Sequence, residues 1–121
     1  MDVRIFPPAL GAALALAPVP AGATPLETAT AQQQSNHIGK AIEYARAAIA
    51  SGSQNDAAEL VNQASAALEH ARAALAAAPN SLVEASVERL EEALRLGRMG
   101  RAKLARVQAQ AALQSLEQAP R

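Results

Sequence analysis

The segment Gln63-Ala64-Ser65-Ala66-Ala67-Leu68 decides the fold, because it recurs in the same register as Gln108-Ala109-Gln110-Ala111-Ala112-Leu113. The offset of 45 residues is also the offset between Gly52 and Gly97. A repeated unit longer than one helix, with a glycine near its middle, is typical of a helix, a turn and a second helix. Two such units predict an all-α protein, an antiparallel four-helix bundle built from two duplicated helical hairpins.

The first predicted hairpin has apolar residues at spacings of three and four, as on the buried face of a helix. A cap at Ser35 or Asn36, or a capping box that begins at Thr30, starts its first helix. Gly52 in the left-handed conformation ends that helix, and Ser53 caps the second. The residues expected to face inward are Ile38, Ile42, Ala45, Ile49, Ala57, Leu60, Val61, Ala64, Leu68, Ala71 and Leu75.

The second predicted hairpin carries the clearest start signal, a capping box formed by Ser81 and Glu84. Gly97 is expected to end this third helix, and the fourth should begin at about Gly100 and run to Gln118. The residues expected to face inward are Val83, Val87, Leu90, Leu94, Ala105, Ala109, Ala112, Leu113 and Leu116.

The N-terminal segment is different in character. A short apolar run follows Arg4 and leads to Ala21-Gly22-Ala23, which resembles the A-x-A cleavage site of a secretory signal. The run is too short for the roughly 20 residues of a membrane-spanning helix, so we expect export to the periplasm and no stable membrane insertion. The predicted organisation is a signal peptide over 1–23, a polar leader over 24–35, and a bundle over 36–118 with hairpins at 36–77 and 81–118.

Composition limits the classes of function. The chain has 121 residues, a formal net charge of zero and no cysteine. No global electrostatic field therefore favours a nucleic acid, and disulfides and thiolate metal sites are excluded. Neither a Gly-rich phosphate loop nor an H-E-x-x-H motif occurs, so we expect no enzyme.

Folding each hairpin about its glycine predicts which residues lie opposite one another. In the first hairpin opposite residue numbers add up to about 107, which places the chain's two histidines, His37 and His70, at one level. In the second they add up to about 197, which places Glu91 opposite Arg106. Neutral imidazoles are good ligands for copper, nickel and zinc. His37 and His70 are therefore candidate metal ligands, although two unrelated histidines of a nonmetal bundle are an alternative interpretation.

The segments His37-Ile-Gly-Lys-Ala-Ile-Glu-Tyr-Ala-Arg-Ala-Ala-Ile-Ala-Ser-Gly52 and Leu68-Glu-His-Ala-Arg-Ala-Ala resemble the small metal-binding protein family of bacterial periplasms. The resemblance covers about residues 36–118. It implies an exported, histidine-rich four-helix bundle that binds copper, nickel and other divalent ions through histidines spaced seven apart. His37 and His70 match family histidines. Other residues stand at most of the remaining histidine positions, namely Tyr44, Ser51, Gln63, Arg89, Leu96, Gln108 and Ser115.

The resemblance implies a metal ion as partner, copper or nickel ahead of zinc, with a capacity reduced by the missing histidines. The second hairpin, which has no histidine, is expected to bind no ion specifically. The alternative function is a nonmetal structural or protein-interaction module, with a helical protein or a second copy of the chain as its partner.

Overall fold

A computed structural model describes residues 25–121, with side chains from residue 29 onward, and these residues form four helices. Each helix packs mainly against two neighbours, α1 and α3 both contacting α2 and α4, and α2 and α4 also contact each other across the bundle. The prediction of an all-α four-helix bundle is confirmed, while the predicted signal peptide lies outside the described residues. No helix in this part of the chain has the length and apolar character needed to cross a membrane. The helices are α1 (Pro25–Ser53), α2 (Ala57–Ala77), α3 (Ser81–Arg98) and α4 (Ala102–Gln118).

The core consists largely of alanine, with a few larger aliphatic side chains at its centre. Leu60, Leu90 and Leu116 are fully buried, and most of the other core positions are alanine. Small side chains let the helix backbones approach closely. The way the helices pair therefore depends on how well their surfaces fit together. Six residues predicted to face inward are only partly buried at the edges of this core: Ile49, Ala57, Val61, Leu75, Val87 and Leu113.

Ser86 is a buried polar residue that the apolar pattern did not predict. It has no exposed surface, and its hydroxyl donates a hydrogen bond to the carbonyl of Val83 at 2.7 Å. Because that bond satisfies the hydroxyl within its own helix, the core accepts serine at a position otherwise suited to alanine.

Helix α1 begins about three turns earlier than predicted, at Pro25 instead of near Asn36. Proline suits the first turn of a helix, where its missing N–H has no partner in any case. Between Pro25 and Gly39 there is no further glycine or proline, so each added residue extends the helix at little cost. The polar stretch predicted as a leader is therefore helical from Pro25 on, and the caps proposed at Ser35 and Asn36 are wrong.

The two glycines at the repeat offset do not end their helices, which corrects the prediction made for them. Gly52 lies inside α1 and Gly97 inside α3. Residues just beyond the helices adopt the left-handed conformation instead, with φ of 60° at Asn55 and 79° at Gly100. Asparagine and glycine are the residues that tolerate this conformation best.

The helix starts are also capped one to three residues away from the predicted positions. Asp56, not Ser53, caps α2, and its carboxylate accepts from the amide of Glu59 at 3.0 Å. Asn80, not Ser81, caps α3 and accepts from the amides of the second and third helical residues. Helix α4 begins at Ala102 without a side-chain cap. Each capping residue has a short polar side chain and lies in the connecting loop. Neighbouring residues have similar side chains, so the sequence does not show which of them caps the helix.

Gly52 and Gly97 are instead points at which the two hairpins approach each other closely. A methyl group added at Gly52 would lie 2.7 Å from Cβ of Arg106 on α4. A methyl group added at Gly97 would lie 2.7 Å from a methyl carbon of Val61 on α2. Val61 and Arg106 are themselves related by the offset of 45 residues, so the two contacts are reciprocal. Only glycine fits at either position without displacing a neighbouring helix.

The predicted register of the second hairpin is confirmed by one hydrogen bond, but the predicted contact between Glu91 and Arg106 is wrong. Arg89 donates to the side-chain oxygen of Gln108 at 3.2 Å, and these residue numbers add up to 197. Glu91 does not contact Arg106; it pairs across the other seam with Arg72 of α2, at 2.5 Å. The residue sum gives the level of a side chain but not its side of the helix, and Glu91 faces α2.

The close contacts at Gly52 and Gly97 predict the effect of adding one methyl group. Gly52→Ala and Gly97→Ala should each lower the free energy of unfolding by about 1–3 kcal/mol, because the core is overpacked at those positions. Gly39→Ala is the matched control, since nothing lies within 4 Å of its added methyl group. It should raise stability by about 0.5–1 kcal/mol through helix propensity. Urea unfolding followed by circular dichroism measures all three. Equal stability of the three variants would contradict the glycine contacts.

Candidate metal centre

The two histidines of the chain are in direct contact across the seam between α1 and α2. The Nδ1 atoms of His37 and His70 are 3.1 Å apart, and the ring centroids are 5.3 Å apart. This confirms the prediction that the two residues lie at one level of the first hairpin. It does not by itself assign them a ligand role, which stays a prediction.

The positions of both rings follow from the core residues beside them. His37 precedes the buried Ile38, and His70 precedes the buried Ala71. Each imidazole is therefore turned about one residue away from the core and is half-buried at the edge of the seam. The site is accessible to solvent on one side and supported by packed helices on the other.

Tyr44 supports the imidazole of His70. The two rings are stacked, with centroids 5.7 Å apart and planes inclined by 7°. Tyr44 lies seven residues after His37, two helical turns along the same face of α1. The spacing between His37 and Tyr44 is visible in the sequence. It does not show that the Tyr44 ring contacts His70 on the neighbouring helix. The stack limits the orientations available to that imidazole.

Gln34 joins the two helices one turn away from the histidines. Its amide nitrogen donates to the carbonyl of Ala78 at 2.6 Å and to that of Ala74 at 3.3 Å. The Ala78 carbonyl lies at the C-cap of α2, beyond the reach of the helical hydrogen bonds, while the Ala74 carbonyl also accepts from the amide of Ala78 at 3.1 Å. Gln34 thereby ties α1 to the end of α2 close to the imidazole pair. Gln34 is the last of three consecutive glutamines, and no sequence pattern distinguishes the one that makes this contact.

The contact between the imidazoles restricts their protonation. A hydrogen bond between two Nδ1 atoms needs a proton on one of them and a free lone pair on the other. In the neutral pair, one ring is therefore the Nδ1–H tautomer and the other carries its proton on Nε2. The contact therefore pairs two different tautomers of the imidazole ring.

The spacing of the two nitrogens fits one metal ion. An ion at the usual metal–nitrogen distance of about 2.0–2.1 Å from both atoms would form an angle of about 95–102° between them. This angle lies between the right angle of tetragonal copper or nickel sites and the tetrahedral angle preferred by zinc. Within residues 29–121, no group of three or more His, Cys, Asp or Glu side chains is placed to hold an ion. The described residues thus offer two nitrogen donors and no larger ligand set.

The second hairpin has no counterpart of this site. At the offset of 45 residues, His37 corresponds to Leu82 and His70 to Ser115. Both positions are half-buried, as the histidines are. The second hairpin therefore has the same backbone arrangement, but it lacks the imidazole nitrogens that could bind an ion. Tyr44 corresponds to Arg89, which bonds Gln108 across the equivalent seam.

Comparison with known proteins adds one finding to this geometry. A family model described as "Small metal-binding protein" matches residues 13–119 of the chain. A search among curated proteins finds no match. The matched range includes all four described helices and both histidines.

Proposed function

The chain belongs to the small metal-binding protein family, and from this premise we propose that it binds a divalent transition-metal ion through His37 and His70. The proposal rests chiefly on the 3.1 Å separation of the two Nδ1 atoms at the edge of the α1–α2 seam. The family is described by metal binding and not by an enzymatic activity. A nonenzymatic role remains our prediction for this chain.

Copper or nickel is the ion that the donor set favours, ahead of zinc. Imidazole nitrogen binds all three, and the angle of about 95–102° lies midway between a tetragonal and a tetrahedral arrangement, so the geometry alone does not choose among them. The preference rests on the affinity order for a given set of nitrogen ligands, in which copper lies at the top. Two protein ligands leave coordination positions to water, so we expect one weakly held ion per chain, far fewer than a histidine-rich member would carry.

The protein's own groups have distinct tasks in this proposal. His37 and His70 both need a free lone pair on Nδ1, so the ring that carries its proton there must shift it to Nε2. Tyr44 restrains His70 through the ring stack, and Gln34 holds the two helices together one turn away. The site is thus largely formed before an ion arrives, which reduces the entropic cost of binding.

Calorimetric titration of Cu(II) and Ni(II) into the metal-free protein tests the proposal. One ion should bind per chain, and His37→Ala or His70→Ala should each weaken binding by about tenfold or more, which corresponds to about 1.4 kcal/mol. Tyr44 is the chain's only tyrosine, and no tryptophan is present, so Cu(II) should also quench a fluorescence signal beside the site. Isotherms that both variants leave unchanged would contradict the assignment and favour the nonmetal helical module.

A matched gain-of-function variant uses the second hairpin. Leu82→His combined with Ser115→His places two imidazoles at the positions that correspond to His37 and His70. If those positions are sufficient for binding, the stoichiometry should rise from one ion per chain to two. Leu82→Gln combined with Ser115→Gln is the control, because it introduces polar side chains without imidazoles. This variant should still bind one ion per chain.

We also propose that residues 1–23 direct export to the periplasm and are removed after Ala23. The supporting features are the short apolar run and the small residues Ala21 and Ala23 at the cleavage positions. Expressed in a Gram-negative bacterium, the protein should appear in the periplasmic fraction with Thr24 as its first residue by mass spectrometry. Ala23→Arg should block cleavage. A full-length cytoplasmic protein would contradict export.

A further inference from the structure

The imidazole pair is open on the side that faces away from the bundle. His37 and His70 are half-buried, and their Nδ1 atoms are 3.1 Å apart at the outer edge of the α1–α2 seam. Copper, nickel and zinc typically bind four ligands in proteins when nitrogen donors hold them. The pair in one chain therefore provides half of a four-coordinate site, and the other half lies on the solvent side.

The carboxylates nearest in sequence are turned away from this site. Glu69 is exposed and, as the neighbour of His70, is rotated by about 100° around α2. Glu43 lies six residues after His37, which rotates it by about 120° around α1, and it pairs with Lys40 at 4.0 Å. Across the part of the chain with described side chains, no third histidine or carboxylate joins the pair to hold an ion.

Small side chains border the site on α2. Ala66 and Ala73 lie one turn before and one turn after His70 on the same side of the helix, and both are half-buried. Alanine surfaces allow helices to approach closely, as they do in the core of this bundle. A second helical surface therefore has access to the imidazole of His70 without meeting a long side chain of α2.

The border of the site on α1 does not oppose the approach of a second copy. Gln33 and Lys40 lie one turn before and one turn after His37, and both are exposed. The ammonium group of Lys40 pairs with Glu43, so its charge is balanced within α1. The formal net charge of the whole chain is zero. Two copies therefore come together at this surface without strong repulsion between like charges.

We propose that two copies of the chain share one ion, each contributing His37 and His70 about a two-fold axis. This inference rests on the proposed function, because it concerns the same pair of imidazoles. Two pairs provide four nitrogens, a full set for copper, nickel or zinc. Tyr44 and Gln34 restrain the pair, so each copy presents both nitrogens together. When the ion exceeds the protein, each pair binds its own ion and the copies separate, which agrees with one ion per chain at saturation.

Sedimentation of the full chain at increasing ratios of Cu(II) tests the shared ion. The metal-free protein should be monomeric, and half an equivalent of Cu(II) per chain should convert it to a dimer that chelator dissociates. A large excess of Cu(II) should restore the monomer. Electron paramagnetic resonance of the same samples should show four nitrogen ligands per copper at half an equivalent and two at excess.

A long side chain at the border of the site separates sharing from binding. Ala66→Arg should raise the dissociation constant of the copper-linked dimer by about tenfold or more, while copper at excess keeps its two nitrogen ligands. Ala111→Arg is the matched control, because Ala111 is the half-buried alanine at the offset of 45 residues. It should leave the dimer unchanged, and His70→Ala should abolish it. Circular dichroism checks that each variant is folded.

The outcomes distinguish this inference from the proposed function. A wild-type chain that stays monomeric at half an equivalent, while its copper shows nitrogen ligands, would overturn the shared ion and leave binding by a single pair intact. Equal dissociation constants for the dimers of Ala66→Arg and Ala111→Arg would also overturn it. Copper without nitrogen ligands at every ratio would overturn the proposed function, and the shared ion with it.

Discussion

The close approach of the helices at small residues is the constraint on which the rest of the structure depends. At Gly52 and Gly97 the two hairpins are so close that a single added carbon would lie 2.7 Å from the neighbouring helix. Along the seams, fully buried alanines continue the same close packing. Such a seam tolerates little sliding, because a shift of one residue replaces alanine or glycine with a longer side chain. The register of each hairpin is fixed by this contact, and with it the level at which each surface side chain emerges.

The register could be predicted from the sequence, whereas the local ends of the helices could not. The residue sums that place His37 beside His70, and Arg89 beside Gln108, follow from the offset and the glycines alone. The caps were misplaced because Asp56 and Asn80 stand near serines of similar capping ability, and only the chain path decides between them. The ion pair assigned to Glu91 was wrong because a level along the bundle does not specify which neighbour a long side chain reaches.

The function of the glycines was the least predictable feature. From sequence, Gly52 and Gly97 resemble helix terminators, and both lie near helix ends. Their actual role depends on Arg106 and Val61, which belong to the other hairpin and are distant in sequence. Periodicity within one helix contains no information about such contacts. For the same reason the sequence did not show that Tyr44 stacks on His70 or that Gln34 bonds the end of α2.

The two hairpins share one backbone plan but differ in the surface they present. The first carries the imidazole pair beside a tyrosine, and the second carries Leu104 and Val107 at positions that are polar in the first. Membership in a metal-binding family and the two nitrogens 3.1 Å apart both support a role for the first hairpin in binding an ion. Because the two hairpins share one core, their surface residues can differ without disturbing it.

The contact between His37 and His70 in the metal-free protein is tested most directly by nuclear magnetic resonance of the protein labelled with ¹⁵N-histidine. One Nδ1 should carry the proton and show a scalar coupling to the other Nδ1 across the hydrogen bond, with ring contacts from His70 to Tyr44. The coupling should vanish in His70→Ala. Two histidines that show neither coupling nor ring contacts would contradict the register of the first hairpin and remove the basis of the metal site.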